Sequence, residues 1–146
     1  MELQEIMTRE VETIRSTASV QSAAQKMALF DIGMLPVVEH TQLVGAITDR
    51  DITVRAVARG FDPKVAEVRT VMNPAVVCGH AWQDVQAGLQ LMTDHQIRRL
   101  PIVNNADQLV GIVSLSDLAK VMPNKQLLSE ALERISEARR LEPVVR

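Results

Sequence analysis

Two short stretches of this chain place a hydroxyl and a carboxylate at one spacing behind a glycine. They are Gly45-Ala46-Ile47-Thr48-Asp49-Arg50-Asp51 and Gly111-Ile112-Val113-Ser114-Leu115-Ser116-Asp117. Each reads glycine, two apolar residues, Thr or Ser, two variable residues, then Asp. The apolar pair predicts a strand end and the apolar run behind the aspartate predicts a helix, so hydroxyl and carboxylate fall on the first helical turn. Unpaired backbone N–H groups and the helix dipole favour an anion there. A hydroxyl can join those donors on a phosphate, and a carboxylate can accept hydrogen bonds from two vicinal ribose hydroxyls. The same residues also make a capping box, Ser or Thr followed by an acid one turn later. Both readings stand at this point, because duplication copies a cap as faithfully as it copies a site.

The elements that must position these groups belong to a repeat. Laid on itself, the sequence brings Met7 onto Met72, Val11 onto Val76, Val20 onto Val85, Met27 onto Met92, Leu35 onto Leu100 and Pro36 onto Pro101. One extra loop residue later, LVGAITDRD overlays LVGIVSLSD. In the first copy, residues 11–14 predict a short opening strand. Ser19 caps a helix with an apolar stripe of Val20, Ala23, Ala24, Met27 and Phe30, ended by Gly33. Residues 35–38 and 43–47 predict a hairpin around the polar turn 39–42. A second helix carries Ile52, Val54 and Val57 toward Gly60. The second copy repeats the pattern, with Val76 and Val77 as opening strand, Asp84 as cap and Val85, Leu89 and Met92 as stripe. A three-stranded sheet with helices on one face leaves its other face wet, so two such units should pack together.

The expected fold is therefore α/β (α+β): two βαββα units over residues 1–60 and 71–122, a connector at 61–70, and a C-terminal amphipathic helix and tail over 123–146. That helix is expected from 125 to about 141, with Leu128, Ala131, Ile135 and Ala138 at helical spacing and Leu127, Leu132 and Leu141 widening the stripe. It is too short for an independent coiled coil and must dock on the body or on a second subunit.

Composition removes several function classes. Of 146 residues, 47% are apolar but only 2% aromatic, enough for a core but not for the stacking platforms that grip single-stranded nucleic acid. A net charge of -2 gives no broad phosphate-binding face for nucleic acid. No apolar run is long enough to span a bilayer, and MELQEIMTRE lacks a signal-peptide pattern. Cys78 is the single cysteine, so no internal disulfide forms, and the expected location is the cytoplasm. His40, His80 and His95 have no carboxylate or cysteine at ligand spacing, so no metal site is expected. With no Gly-rich phosphate loop, no Ser-His-Asp set and no base beside a nucleophile, no catalytic residue and no enzyme are expected. Cys78 reads as a small buried residue, and Met7, Met27, Met72 and Met92 as core filling.

Taken together, I-G-M-L-P-V-V with L-V-G-A-I-T-D-R-D-I, and I-R-R-L-P-I-V with L-V-G-I-V-S-L-S-D-L, resemble a tandem pair of cystathionine-β-synthase-type (CBS) domains, a Bateman module. The resemblance covers roughly residues 6–121. It implies two units paired about a pseudo-two-fold axis, with adenine nucleotides bound in two clefts between them. It places Asp51 and Asp117 on the ribose-binding aspartate, and Thr48 and Ser114 on the phosphate-binding hydroxyl. Gly33, Met34, Leu35 and Pro36, and likewise Arg98, Arg99, Leu100 and Pro101, fall on the segment flanking the base. Thr13 and Ile14, like Val76 and Val77, fall on the strand lining the base pocket.

The two clefts differ in their cations. Arg50 and Arg55 stand near the first; Ser116 replaces Arg50 in the second, where Arg98 and Arg99 precede Pro101. These arginines read equally well as phosphate ligands and as solvated helix ends or surface ion pairs worth ~0–1 kcal/mol. The implied function is a regulatory sensor of AMP, ADP or ATP without a resident cofactor. The alternatives are another adenosyl ligand (S-adenosylmethionine, NAD or a cyclic dinucleotide) and a ligand-free interaction module whose motifs are only caps. The expected partners are an adenine nucleotide, a second copy of the chain in a symmetric dimer, and an effector protein.

Overall fold

Residues 1–137, those described by the computed structural model, form two three-stranded sheets in the orders β1-β2-β3 and β4-β5-β6. A single helical turn, α1 (Leu3–Ile6), opens the chain. In the first unit β1 (Ile14–Arg15) runs parallel to β2 (Met34–Glu39), and β2 is antiparallel to β3 (Gln42–Thr48). The crossover between β1 and β2 is α2 (Val20–Phe30), and α3 (Asp49–Asp51) follows β3. The second unit repeats this with β4 (Gly79–His80), α4 (Val85–His95), β5 (Arg99–Val103), β6 (Leu109–Ser114) and α5 (Leu115–Val121). The strand-helix-strand-strand-helix order read from the repeat is thus the order observed.

The caps follow the sequence. Ser19 Oγ accepts from the Ser22 N–H at 3.0 Å, and Asp84 Oδ1 from the Gln86 N–H at 2.9 Å. The stop of α2 differs from expectation: Asp31, in the left-handed region at φ 53°, ends the helix, two residues before Gly33. Asp tolerates that conformation because its short side chain bonds locally. Along α2 the buried stripe is Val20, Ala23 and Met27; Ala24 and Phe30 sit at its two edges and are exposed.

The helix behind β3 departs further from the pattern. After α3 it widens into a π-helical stretch, Ile52–Val57, with Ala58 N–H donating to Thr53 O at 3.0 Å. Bonds to the fifth residue back widen the helix and change which side chains face the core. The buried residue of this stretch is Ala56, 1% exposed, while Val54 and Val57 are 42% and 65% exposed.

The opening strands lie later than the apolar residues suggested. Val11 precedes β1, and Val76 and Val77 lie in the irregular segment before β4. The cause is a crossing. Thr8 pairs with Ile112 of the other unit's β6, and Asn73 pairs with Ala46 of the other unit's β3. Each opening segment thus begins against one sheet and ends in the other.

These pairings define the pseudo-two-fold axis. Thr8–Ile112 and Asn73–Ala46 are the same contact made twice. The same holds for Leu43 N–H to Asp107 O (3.3 Å) and Leu109 N–H to Thr41 O (3.0 Å). Gln42 and Gln108 occupy equivalent places and pair with each other, so the axis passes between them.

The crossing also exchanges core material. Leu3 is fully buried in the core of the second unit with Val85, Leu89 and Leu100, whereas Val68 of the connector and Val71, the first residue of the second copy, complete the core of the first. Two glycines make room for the crossing segments: a Cβ on Gly111 would collide with Met7 Sδ, and one on Gly45 would meet Met72 Sδ at 2.6 Å. The recurrent methionines Met7 and Met72 therefore fill the seam between units.

The C-terminal helix, α6 (Lys125–Ser136), docks on α4. Leu128, Ala131 and Ile135 are buried in the second core, and Leu132 is exposed. Ala138 and Leu141, counted in the predicted stripe, lie outside the described residues. Among the described residues no helix is long and apolar enough to cross a membrane.

Candidate functional site: two matching sheet ends

At one end of each sheet the predicted site residues converge. Met34 pairs with Thr48 at the last rung of β2 and β3, and Arg99 with Ser114 at the last rung of β5 and β6. The strand end is sewn to the segment before the preceding strand by Asp49 N–H to Gly33 O at 3.0 Å, and by Leu115 N–H to Arg98 O at 2.9 Å. Gly33, Met34, Thr48 and Asp51 thus share one corner, and Arg98, Arg99, Ser114 and Asp117 share the other. A Cβ on Gly33 would lie 3.0 Å from Asp49 Oδ2, so the glycine lets that carboxylate approach the backbone.

The hydroxyls and carboxylates form a reciprocal cap in both copies. Thr48 Oγ1 accepts from the Asp51 N–H at 3.1 Å, and Asp51 Oδ2 accepts from the Thr48 N–H at 2.9 Å. The second copy matches, with Ser114 Oγ accepting at 3.1 Å and Asp117 Oδ2 at 2.8 Å. The capping box is real, but it leaves capacity. A hydroxyl that accepts still has its own proton to donate, and a carboxylate with one oxygen on a cap has the other available. Asp51 Oδ1 lies 3.9 Å from Arg55 Nε, with 17% of the Asp51 side chain exposed.

Not every predicted residue can present a side chain. Leu35 and Leu100 are fully buried in their cores, and Ile14 is nearly so, leaving only backbone to face a cleft. Pro36 and Pro101 lie buried inside β2 and β5. Val76 and Val77 are half-buried ahead of β4, with Val77 packed on the second core. Thr13 lies just before β1, where Lys26 Nζ donates to its carbonyl at 2.6 Å.

The arginines divide. Arg50 and Arg99 are exposed. Arg55 donates to Val71 O at 3.2 Å and Met72 O at 3.3 Å, tying the start of the second copy to the first unit. Arg98 donates to Ser136 Oγ at 3.2 Å, tying α6 to the second corner. Sequence reasoning missed both tethers, because nothing in a local motif reveals a partner so distant in the chain.

Cys78 is half-buried, and its thiol is pushed above the ordinary range by burial and, secondarily, by the carboxylate of Asp107. It therefore stays protonated at neutral pH and is a poor nucleophile. Among the described residues no group of three or more His, Cys, Asp or Glu is placed to hold a metal ion.

Comparison with known proteins agrees with this architecture. CBS domain-containing protein YhcV of Bacillus subtilis is 40% identical over 134 residues, 92% of this chain and 94% of that protein. The crystal structure of Hypoxic Response Protein I with two coordinated zinc ions matches with a TM-score of 0.77 at 33% identity, covering 84% of this chain and all of that one. A curated protein of nearly the same name, Hypoxic response protein 1 of Mycobacterium tuberculosis, is 33% identical over 125 residues, 85% of this chain and 87% of that protein. The CBS domain pair of protein MJ0100, solved in complex with 5'-methylthioadenosine and S-adenosyl-L-methionine, gives a TM-score of 0.72 at 27% identity, over 83% of this chain and 98% of that one. The CBS domain family matches residues 3–57 and 65–124, and this match indicates no catalytic family. Matched in both of its units, the chain belongs to the CBS domain family as a tandem pair.

Proposed function

We propose that this chain is a regulatory sensor that binds an adenosine-containing ligand at the two matching sheet ends, with AMP, ADP and ATP as the first ligands. The observation that carries the reading is the doubled corner, where a hydroxyl and a carboxylate with unused hydrogen-bonding capacity stand beside a backbone segment on the sheet. The complex of the MJ0100 pair with 5'-methylthioadenosine and S-adenosyl-L-methionine supports it, since adenosine is common to both molecules. A ribose donates two hydroxyls to the carboxylate, and the adenine needs only backbone and apolar walls.

A second reading is favoured by the reciprocal caps of Thr48 and Asp51 and of Ser114 and Asp117. In it the motifs only start helices, and the protein is an interaction module. Thermal unfolding separates the two. A ligand at about a hundred times its dissociation constant stabilises the fold by ~2.7 kcal/mol, which raises Tm by several degrees. The sensor reading expects that rise with at least one of AMP, ADP, ATP, NAD, a cyclic dinucleotide or S-adenosylmethionine. A flat response to all of them leaves the interaction module.

The sensor is further proposed to act as a homodimer through the helical face of the first unit. Leu29 and Phe30 are 75% and 44% exposed there, beside Val54 and Val57. The equivalent places in the second unit hold Asp94, His95, Lys120 and Pro123. An apolar face on one copy and a more polar one on the other is what a contact made by one unit alone requires. Sedimentation should show a dimer for the native chain and a monomer for Leu29→Glu; equal masses for the two would remove this proposal.

A further inference from the structure

We propose that the two units enclose a second kind of site, a receptor for a small oxyanion of the inorganic phosphate type, at the hairpin-turn end of the first sheet. β2 and β3 pair from Met34–Thr48 at one end to Glu39–Gln42 at the other, and the adenosyl corner occupies the first of these. The second end carries a cavity of about 170 Å³. Its polar lining is Arg9, Thr13, His40 and Thr41, and none of its lining residues bears a carboxylate. The volume falls below the ~300–1,000 Å³ of sites that bury a drug-sized ligand, so the occupant is small.

Every polar group there can donate. Arg9 uses one Nη2 bond on Gln4 O at 3.2 Å, leaving further guanidinium donors for an oxyanion. Thr41 Oγ1 accepts from Gln108 Nε2 at 3.0 Å, and its own proton stays available to donate. The imidazole of His40 supplies a ring N–H, held over the turn by a left-handed backbone at φ 58°. Apolar walls from Val11, Val38, Leu109 and Val110 lower the local dielectric and strengthen a charged hydrogen bond.

The repeat provides an internal control. The place equivalent to Arg9 is Pro74, and that equivalent to Thr13 is Cys78. The carboxylate of Asp107 acts on Cys78 there, so the mirrored position has an acid and no cation. Only one of the two related places is built for an anion. Because Leu109 and Val110 belong to the second unit and His40 and Thr41 to the first, an anion bound there touches both units across the axis.

Binding of inorganic phosphate to the full chain, measured calorimetrically against chloride at matched ionic strength, tests this. The native chain should bind phosphate in preference to chloride. Arg9→Gln should weaken that binding about tenfold or more, as loss of one charge-assisted hydrogen bond implies. His40→Asn, which keeps a residue tolerant of the left-handed backbone, should weaken it as well. Both residues are exposed, so the variants keep the core intact. No phosphate preference in the native chain, or native affinity in both variants, overturns the proposal. Weakening by Arg9→Gln and His40→Asn assigns the phosphate to this end of the sheet and not to the Thr48 or Ser114 corner, so the outcome is independent of whether the adenosyl reading holds.

Discussion

Asp51→Asn is expected to weaken adenosyl-ligand binding at the first corner about tenfold, and Asp117→Asn to do the same at the second, with little change in the stability of the free protein. The asparagine carbonyl can still accept from the Thr48 or Ser114 N–H, bonds of 2.9 and 2.8 Å in the native chain, so the cap survives in weakened form. The ribose contact does not survive equally. A hydrogen bond to a charged acceptor contributes about 1.5–3 kcal/mol, against about 1 kcal/mol for a neutral one, and each 1.4 kcal/mol is tenfold in affinity. The Ala variants separate less cleanly, because they also remove the cap at a cost of ~1 kcal/mol. Calorimetric titration of the single and double Asn variants reads both corners. Native affinity in both single variants would mean that the carboxylates are caps and nothing more.

Leu3→Ala is expected to destabilise the chain by about 2–5 kcal/mol, the cost of deleting most of a buried leucine. The loss should be felt first in the unit that is remote in sequence. Leu3 is fully buried, and its two methyl carbons lie against Gly79 and Gly88, where an added Cβ would meet them at 3.0 and 2.8 Å. Hydrogen exchange should therefore lose protection in α4 and β5 before α2 and β2. Earlier loss in the first unit would contradict the exchanged packing.

The likeness between the two copies made much of this legible. The hairpins, the caps at Ser19 and Asp84, and the buried stripe of α6 all follow from local periodicity and local hydrogen bonding, which a sequence carries on its face. The places where the reading slipped are those governed by distant chain. Val76 and Val77 are apolar and β-branched, yet they are a crossing segment because Asn73 is anchored on the other unit's β3. Val54 and Val57 have helical spacing, yet a π-helical stretch turns them outward. At the candidate site the residue types were visible, but the partners of Arg55 and Arg98 were not. The information that would have revealed Arg9 was present, since a repeat that puts Pro74 in its place marks it as a residue of one copy only.

The exchanged packing also sets an order of events for a ribosome making this chain. The first unit can close once Asn73 has emerged, since Val68 and Val71 complete its core. Leu3 finds its neighbours only when Gly88, Leu89 and Leu100 follow. This apolar side chain is thus made well before the residues that cover it. Such a long loop closes slowly and leaves apolar surface open to other nascent chains. A message cut short after the first unit would release α1 without the core that buries Leu3.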